Sequence, residues 1–193
     1  FVAIFSGTHG IANDLSQILD AAKELLKQSN TSIKFILIGQ GKEKKILMAR
    51  AQEEALSNVI FLDPVPKVQL ASLMKRSNVG LQLLADVPAF YYGTSPNKFF
   101  DYLSSGLPVI NNYPGWVAEL ITERKCGVPV AANNAKAMAS TLISLSHNKT
   151  LCEEMSQQSI ELARDQFSRD QLAKNFVQFI ESKSLKLEGN QND

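Results

Sequence analysis

Short apolar runs alternate with longer segments of helical periodicity along almost the whole 193-residue chain. We predict strands at residues 2–7, 32–41, 58–63, 79–84, 108–112 and 127–130. Each run is apolar throughout rather than alternating, which is typical of parallel strands that are covered on both faces. The alternation therefore predicts an α/β fold, a Rossmann-like doubly wound parallel sheet of about six strands flanked by helices.

Composition limits the kinds of partner that such a domain could bind. The net charge is +1, which gives no broad electrostatic attraction to nucleic acid or to anionic lipid. No apolar run approaches the roughly 18–20 residues that a membrane-spanning helix needs. Cys126 and Cys152 form no metal-binding or redox motif, and two free thiols fit a reducing compartment. We expect a cytoplasmic protein without a nucleic-acid partner.

Ligands of doubly wound sheets bind at the carboxyl ends of the strands, so the loops that follow the strands are the candidate sites. After the first strand, Gly7 and Gly10 let the backbone approach a phosphate or sugar closely. Ordinary turn chemistry is an equal alternative, with Asn13 or Asp14 capping the next helix. His9 could touch a ligand, although a single loop histidine is more often a turn residue.

The loops after the second and third strands predict nucleotide contacts. Gly39 and Gly41 permit a close approach of the backbone, and Lys42 could meet a phosphate. We interpret Lys44 and Lys45 as a solvated basic face of the next helix.

The loop after the third strand reads "DPVPK". Its two prolines stiffen the backbone, which could then present a fixed N–H and C=O edge at Pro64 and Val65 to a planar base.

The loop after the fourth strand carries the richest set of small polar residues, from Gly93 to Lys98. Ser95 or its neighbour can cap a helix that begins near Pro96, a favoured residue of the first turn. The amides of Asn97, Lys98 and Phe99 would then face the strand ends, where a pyrophosphate fits.

Two charged side chains extend that prediction. Lys98 adds a positive charge beside the expected phosphates. Asp101 follows about one turn later, and its carboxylate can accept two hydrogen bonds from a ribose diol. The alternative is that Asp101 is an ordinary surface residue of the helix.

Several segments together resemble one family. "NKFFDYLSSGLPVI" resembles the "SK-x-FEYMA-x-G-x-PVI" segment of the retaining nucleotide-sugar glycosyltransferases of family four, which have the GT-B fold. "ILIGQGKEKKIL" resembles the family's "VGDGP" segment, and "NVIFLDPVPKVQLASLMKRSNVGL" and "GWVAELITERKCGVPV" resemble two further segments. The similarity runs in order through residues 1–180.

The resemblance implies a role for each candidate residue. Those implied near the diphosphate and donor sugar are Gly7, Thr8, His9, Gly10, Ser95, Pro96, Asn97, Lys98 and Phe99. Those implied beside the nucleotide or its base are Gly39, Gly41, Lys42, Pro64 and Val65, and Asp101 is implied at the ribose. The implied substrate is a nucleoside-diphosphate sugar, with UDP favoured, and neither a cofactor nor a metal is required. No catalytic residue is assigned.

The sequence departs from the family at one informative position. Members often carry Glu-x7-Glu here, and Asp101 replaces the second Glu conservatively. The first Glu falls on Gly93, which has no side chain, so donor-sugar contact would have to come from elsewhere. The family's usual basic clamp on the diphosphate is not evident either, and Lys98 would supply part of that charge.

The resemblance also implies how the chain is organised. Residues 1–183 would form the donor-binding domain, with a last helix at 169–183 that packs towards a missing N-terminal acceptor domain and a disordered tail at 184–193. Phe1 opens on a core strand, so we expect a piece of a longer protein that is inactive without its other half. Peripheral membrane association through that half stays open. The alternatives are an epimerase of the same fold and a non-catalytic nucleotide-binding α/β module.

Overall fold

All the strands in the described part of the chain, residues 1–189 with side chains to residue 182, lie in one parallel sheet. In this computed structural model they are β1 (Val2–Ser6), β2 (Lys34–Ile38), β3 (Val59–Leu62), β4 (Val79–Gln82), β5 (Val109–Asn111) and β6 (Gly127–Pro129). Their order across the sheet is β3-β2-β1-β4-β5-β6. Each coincides with a predicted run, so the predicted doubly wound α/β fold is confirmed.

Helices connect these strands. They are α1 (Ser16–Lys27), α2 (Lys44–Glu53), α3 (Lys67–Lys75), α4 (Ala89–Gly93), α5 (Asn97–Ser104), α6 (Trp116–Arg124), α7 (Ala135–Ser146), α8 (Lys149–Gln166) and α9 (Arg169–Gly189). The spacing of apolar residues predicts one helix over residues 11–28 and gives no signal for the short α4. In the structure, residues Ile11–Asn13 instead form a separate 3-10 helix before α1. The left-handed backbone of Asp14 separates it from α1, and the Gln17 side chain donates to the Asp14 carboxylate at 2.8 Å.

The strand order reverses between β1 and β4, because the chain first builds outward to β3 and then returns to the other side of β1. Such a reversal opens a crevice outside the carboxyl ends of the strands.

The core lies in two apolar clusters, one containing Phe5 and the other Ile4. Because successive strand residues point to opposite faces, this division shows that both faces of the sheet are covered.

Tyr102 fixes α5 beside this crevice. Its ring is fully buried, and it lies where a side chain on Gly80 would be, since a Cβ added there would come within 2.5 Å of the ring. Its hydroxyl accepts from the Ser6 amide at 3.1 Å and lies 3.3 Å from the Leu81 carbonyl. The helix is therefore held against both β1 and β4, with its N-terminus above the strand ends.

Helix α9 contributes no buried side chain over residues 169–182. It reaches Gly189, so residues 184–189 are helical where the sequence had suggested a disordered tail, and residues 190–193 lie outside the described residues. Within the described chain, every helix is too short or too polar to cross a bilayer.

Candidate functional site

A cleft of about 400 Å³ opens at the switch point, between the strand ends and the N-terminus of α5. Its lining residues are Ser6, Gly7, Thr8, Ile38, Gly39, Gln40, Pro64, Val65, Leu70, Asn97, Lys98 and Asp101. Loops separated by tens of residues in the sequence thus meet in one place. Eight of these positions were predicted from the sequence, and their binding roles stay predictions.

The N-terminus of α5 forms one wall of the cleft. Its N-cap is Pro96, which has extended backbone (φ −79°, ψ 115°) and no capping side chain. The predicted cap by Ser95 is therefore absent, and Ser95 is exposed outside the lining. The Phe99 amide donates to the Pro96 carbonyl at 3.0 Å, whereas the Asn97 and Lys98 amides have no partner among the described residues. Two donors are thus left free for an anion.

Lys98 brings a positive charge to the same wall. Its ammonium donates to Asn13 Oδ1 at 2.9 Å and lies 5.1 Å from the centroid of the Phe5 ring. Within the described chain it pairs with no carboxylate. Burial lowers the pKa of Lys98 to about 8. The side chain is therefore an incompletely satisfied cation that faces the cleft.

The Asp101 side chain lies on the same helix, one turn beyond Asn97, and lines the cleft. It is exposed and forms no ion pair in the described structure. Its oxygens are free to accept hydrogen bonds from a ligand hydroxyl. The cleft thus offers positive and negative groups in succession along α5.

The glycine-rich loops after β1 and β2 pack against each other, which the sequence did not indicate. The Gly7 amide donates to the Ile38 carbonyl at 3.0 Å, and the His9 amide donates to the Gln40 carbonyl at 2.9 Å. A Cβ on Gly39 would lie 1.9 Å from the Gly7 oxygen, and one on Gly41 would lie 2.1 Å from the His9 oxygen. These two glycines are needed for contact between loops, not only for the approach of a ligand.

His9 is buried beneath these loops and does not line the cleft. Its ring lies 6.1 Å from the rings of Phe5 and Phe61, and both ring nitrogens lack a partner in the described structure. Burial, with a smaller contribution from the charge of Lys44, lowers the pKa of His9. The predicted contact of its side chain with a ligand is therefore not present.

Five further predicted residues lie outside the lining. Pro96 is the N-cap of α5, and Phe99 is buried with its amide bonded to the Pro96 carbonyl. Gly10 begins the 3-10 helix, Gly41 packs on His9, and Lys42 is exposed. Lys44 was interpreted as solvated, and this is wrong because it is 7% exposed and forms three hydrogen bonds. The helical pattern gave no signal for its burial, since α2 has no clear apolar face.

The opposite wall of the cleft consists of the turns after β2 and β3. Pro64 and Val65 line it as predicted, together with Leu70 from α3. Gln40, between the two predicted glycines, was missed, although its position alone could have singled it out. This wall is largely apolar and suits the flat face of a base.

These features place a cleft at the switch point of a doubly wound domain. Sequence comparison gives the family of the chain. The profile of the glycosyl transferases group 1 family matches residues 1–162, so the chain belongs to that family. Membership favours a transferase over the epimerase and the non-catalytic module. A comparison with curated proteins found no match.

Solved structures share the fold. A mutant of S. aureus TarM in complex with fondaparinux, α-GlcNAc-glycerol and UDP is 15% identical, with a TM-score of 0.77 over 92% of this chain and 34% of that one. HepE from Anabaena in complex with UDP-glucose is 15% identical, with a TM-score of 0.78 over 94% of this chain and 49% of HepE. The C-terminal domain of the group 1 family protein LpcC from Francisella tularensis is 17% identical, with a TM-score of 0.70 over 87% of this chain and 86% of that domain.

The chain therefore spans a third to a half of the first two of these proteins. It spans most of the separate C-terminal domain. The comparison thus matches the fold of one domain of larger enzymes.

Proposed function

We propose that the cleft binds a nucleoside-diphosphate sugar and that the chain is the donor-binding half of a glycosyltransferase. Lys98 carries this proposal. Within the described part of the chain, this cation has no carboxylate partner, and it lies beside two free amides at a helix N-terminus. A diphosphate would satisfy all of these donors at once.

The remaining contacts follow from the position of the diphosphate. Asp101 would accept hydrogen bonds from the ribose hydroxyls, and the wall at Pro64 and Val65 would hold the base. UDP is favoured by the sequence resemblance, and two proteins of the same fold were solved with UDP or UDP-glucose.

Transfer breaks the bond between the anomeric carbon and the phosphate oxygen, and the electron pair leaves with the phosphate. The Asn97 and Lys98 amides and the Lys98 ammonium would stabilise the negative charge that develops there. The acceptor hydroxyl forms the new bond and loses its proton. We assign no residue of this chain to take that proton.

A second domain would supply the acceptor. Helix α9 exposes large apolar side chains at Leu172, Phe176, Val177, Phe179 and Ile180. Such a set on one helix is typical of a surface that packs on a partner. We propose that α9 packs on the acceptor domain, and that the 193-residue chain binds the donor but does not turn it over. A cytoplasmic location stays a prediction.

Calorimetry with UDP, GDP and ADP tests the site. We expect UDP to bind most tightly, and Asp101→Ala to weaken UDP about tenfold through the loss of hydrogen bonds to a charged acceptor. Glu53→Ala, an exposed carboxylate on α2, is the matched control and should change nothing. Equal UDP binding by the Asp101→Ala variant and the unaltered chain would refute the assigned ribose contact.

A further inference from the structure

Lys44 is the second lysine near the cleft, and all of its hydrogen-bonding capacity is used inside the protein. Its ammonium lies 2.9 Å from the Gly39 carbonyl, 3.0 Å from the Leu62 carbonyl and 2.7 Å from Asp63 Oδ1. An ammonium has three N–H groups and no acceptor, so these contacts saturate it. Lys44 has no donor left for a phosphate.

The three acceptors belong to the two turns that form the base-side wall of the cleft. Gly39 opens the turn after β2, Leu62 ends β3, and Asp63 begins the turn after it. The same Asp63 oxygen accepts from Gln40 Nε2 at 2.8 Å. Lys44 therefore ties the turn that carries Gln40 to the turn that carries Pro64.

Among the described residues, the backbone adds one direct hydrogen bond between these turns, from the Gly39 amide to the Leu62 carbonyl at 3.2 Å. Without the ammonium, the Gly39 carbonyl and the Asp63 carboxylate would repel each other across the gap. A buried carbonyl that loses its donor is costly, so the turns would move apart to reach water. The wall would then lose the spacing on which contact with a flat base depends.

We propose that Lys44 is a positioning residue for the nucleoside end of the donor site. It sets the affinity for the nucleoside by holding the two turns together, and it leaves the diphosphate end at Asn97 and Lys98 unaffected. This inference rests on the proposed function, because it takes a nucleotide to be the ligand of the cleft.

Calorimetry of Lys44→Met with UDP, UMP and pyrophosphate tests the division between the two ends. We expect UDP and UMP to weaken by the same factor, about tenfold, because one set of wall contacts is lost from both. Pyrophosphate binding should stay within about twofold, since its donors lie on α5. The exposed neighbour on the same helix, Lys45→Met, is the matched control and should bind all three like the unaltered chain.

Asp63→Asn provides a second variant that keeps the fold, since the Asp63 side chain is 80% exposed. The substitution removes the carboxylate charge that pairs with Lys44. We expect the affinity for UDP and UMP to fall about threefold and the affinity for pyrophosphate to stay unchanged.

The outcomes separate the inference from the proposed function. If the unaltered chain binds neither UDP nor UMP, the proposed function is wrong and the inference falls with it. If it binds both and Lys44→Met binds them equally well, only the inference is wrong. If Lys44→Met lost as much affinity for pyrophosphate as for UDP, the substitution would have a general effect on the fold. This result too would overturn a role confined to the nucleoside end.

Discussion

One lysine is associated with each wall of the cleft: buried Lys44 lies behind the base side, and half-buried Lys98 lies on the helix side. The two ammonium groups differ in how many hydrogen-bond acceptors they have. Lys44, on the base side, has three oxygen acceptors, one of them a carboxylate. Lys98, on the helix side, has one neutral amide acceptor and an aromatic ring. A saturated ammonium stabilises the protein around it, whereas an unsaturated one is available to a ligand.

This difference has consequences for stability. Because burial lowers the pKa of Lys98 to about 8, the folded state binds this proton less tightly than the unfolded state does. The unfolded chain therefore carries more protons between pH 8 and the ordinary lysine pKa of about 10.4. The Lys98 contribution to stability rises with pH across that interval, and at pH 7 the charged side chain destabilises the fold.

Gly39→Ala would break the base-side wall and has the largest expected effect. The added Cβ would lie 1.9 Å from the Gly7 oxygen, and Gly39 has φ of +152°, which a side chain disfavours. Backbone must move to relieve that clash, so we expect the free energy of unfolding to fall by about 3 kcal/mol. Denaturant titration measures it.

Gly93→Ala is the matched control, because a Cβ at Gly93 meets nothing within 4 Å. We expect it to change the free energy of unfolding by less than about 0.5 kcal/mol. If both alanine variants were equally stable, the close packing of the two glycine-rich loops would be wrong.

Lys98→Met tests the role of the lysine on the helix side of the cleft. We expect UDP affinity to fall about thirtyfold, because charge-assisted hydrogen bonds to the diphosphate are lost. The free energy of unfolding at pH 7 should rise by about 1–2 kcal/mol, since the partly buried charge is removed. Calorimetry and denaturant titration on the same variant check both numbers.

Lys42→Met controls for a general loss of positive charge, since Lys42 is exposed and lies outside the cleft lining. A Lys98→Met variant that was less stable and still bound UDP normally would show that Lys98 serves the fold rather than the ligand.

The comparison of the two lysines also shows how far the sequence could lead. The six strands were predictable because continuous apolar runs determine burial locally. The positions of Lys98 and Asp101 in the cleft lining were predictable, because both follow closely on a helix start that Pro96 marks. These features depend on residues close together in the chain.

The burial of Lys44 and His9 could not be predicted, because the residues that cover them come from distant segments of the chain. The acceptors of Lys44 belong to two strand ends that become neighbours only in the sheet, and His9 is covered by the loop that contains Gly39. A lysine at the start of a helix is usually solvated, and a histidine in a loop is usually exposed. Only the three-dimensional arrangement of these loops reverses both expectations.

The pH dependence of UDP binding gives the smallest expected effect and tests the charge of Lys98 without a substitution. A bound diphosphate favours the ammonium and raises its pKa above the value of about 8 in the free protein. Above pH 8, binding must therefore take up a proton, and affinity falls as the pH rises. Between pH 7.5 and pH 8.5, where neither the terminal phosphate nor the uracil ring of UDP changes its charge much, we expect a decrease of about threefold. Calorimetry in buffers of different ionisation enthalpy measures the proton uptake directly. The same titration of Lys98→Met should be flat, and a slope that survived this substitution would assign the titrating group to another residue.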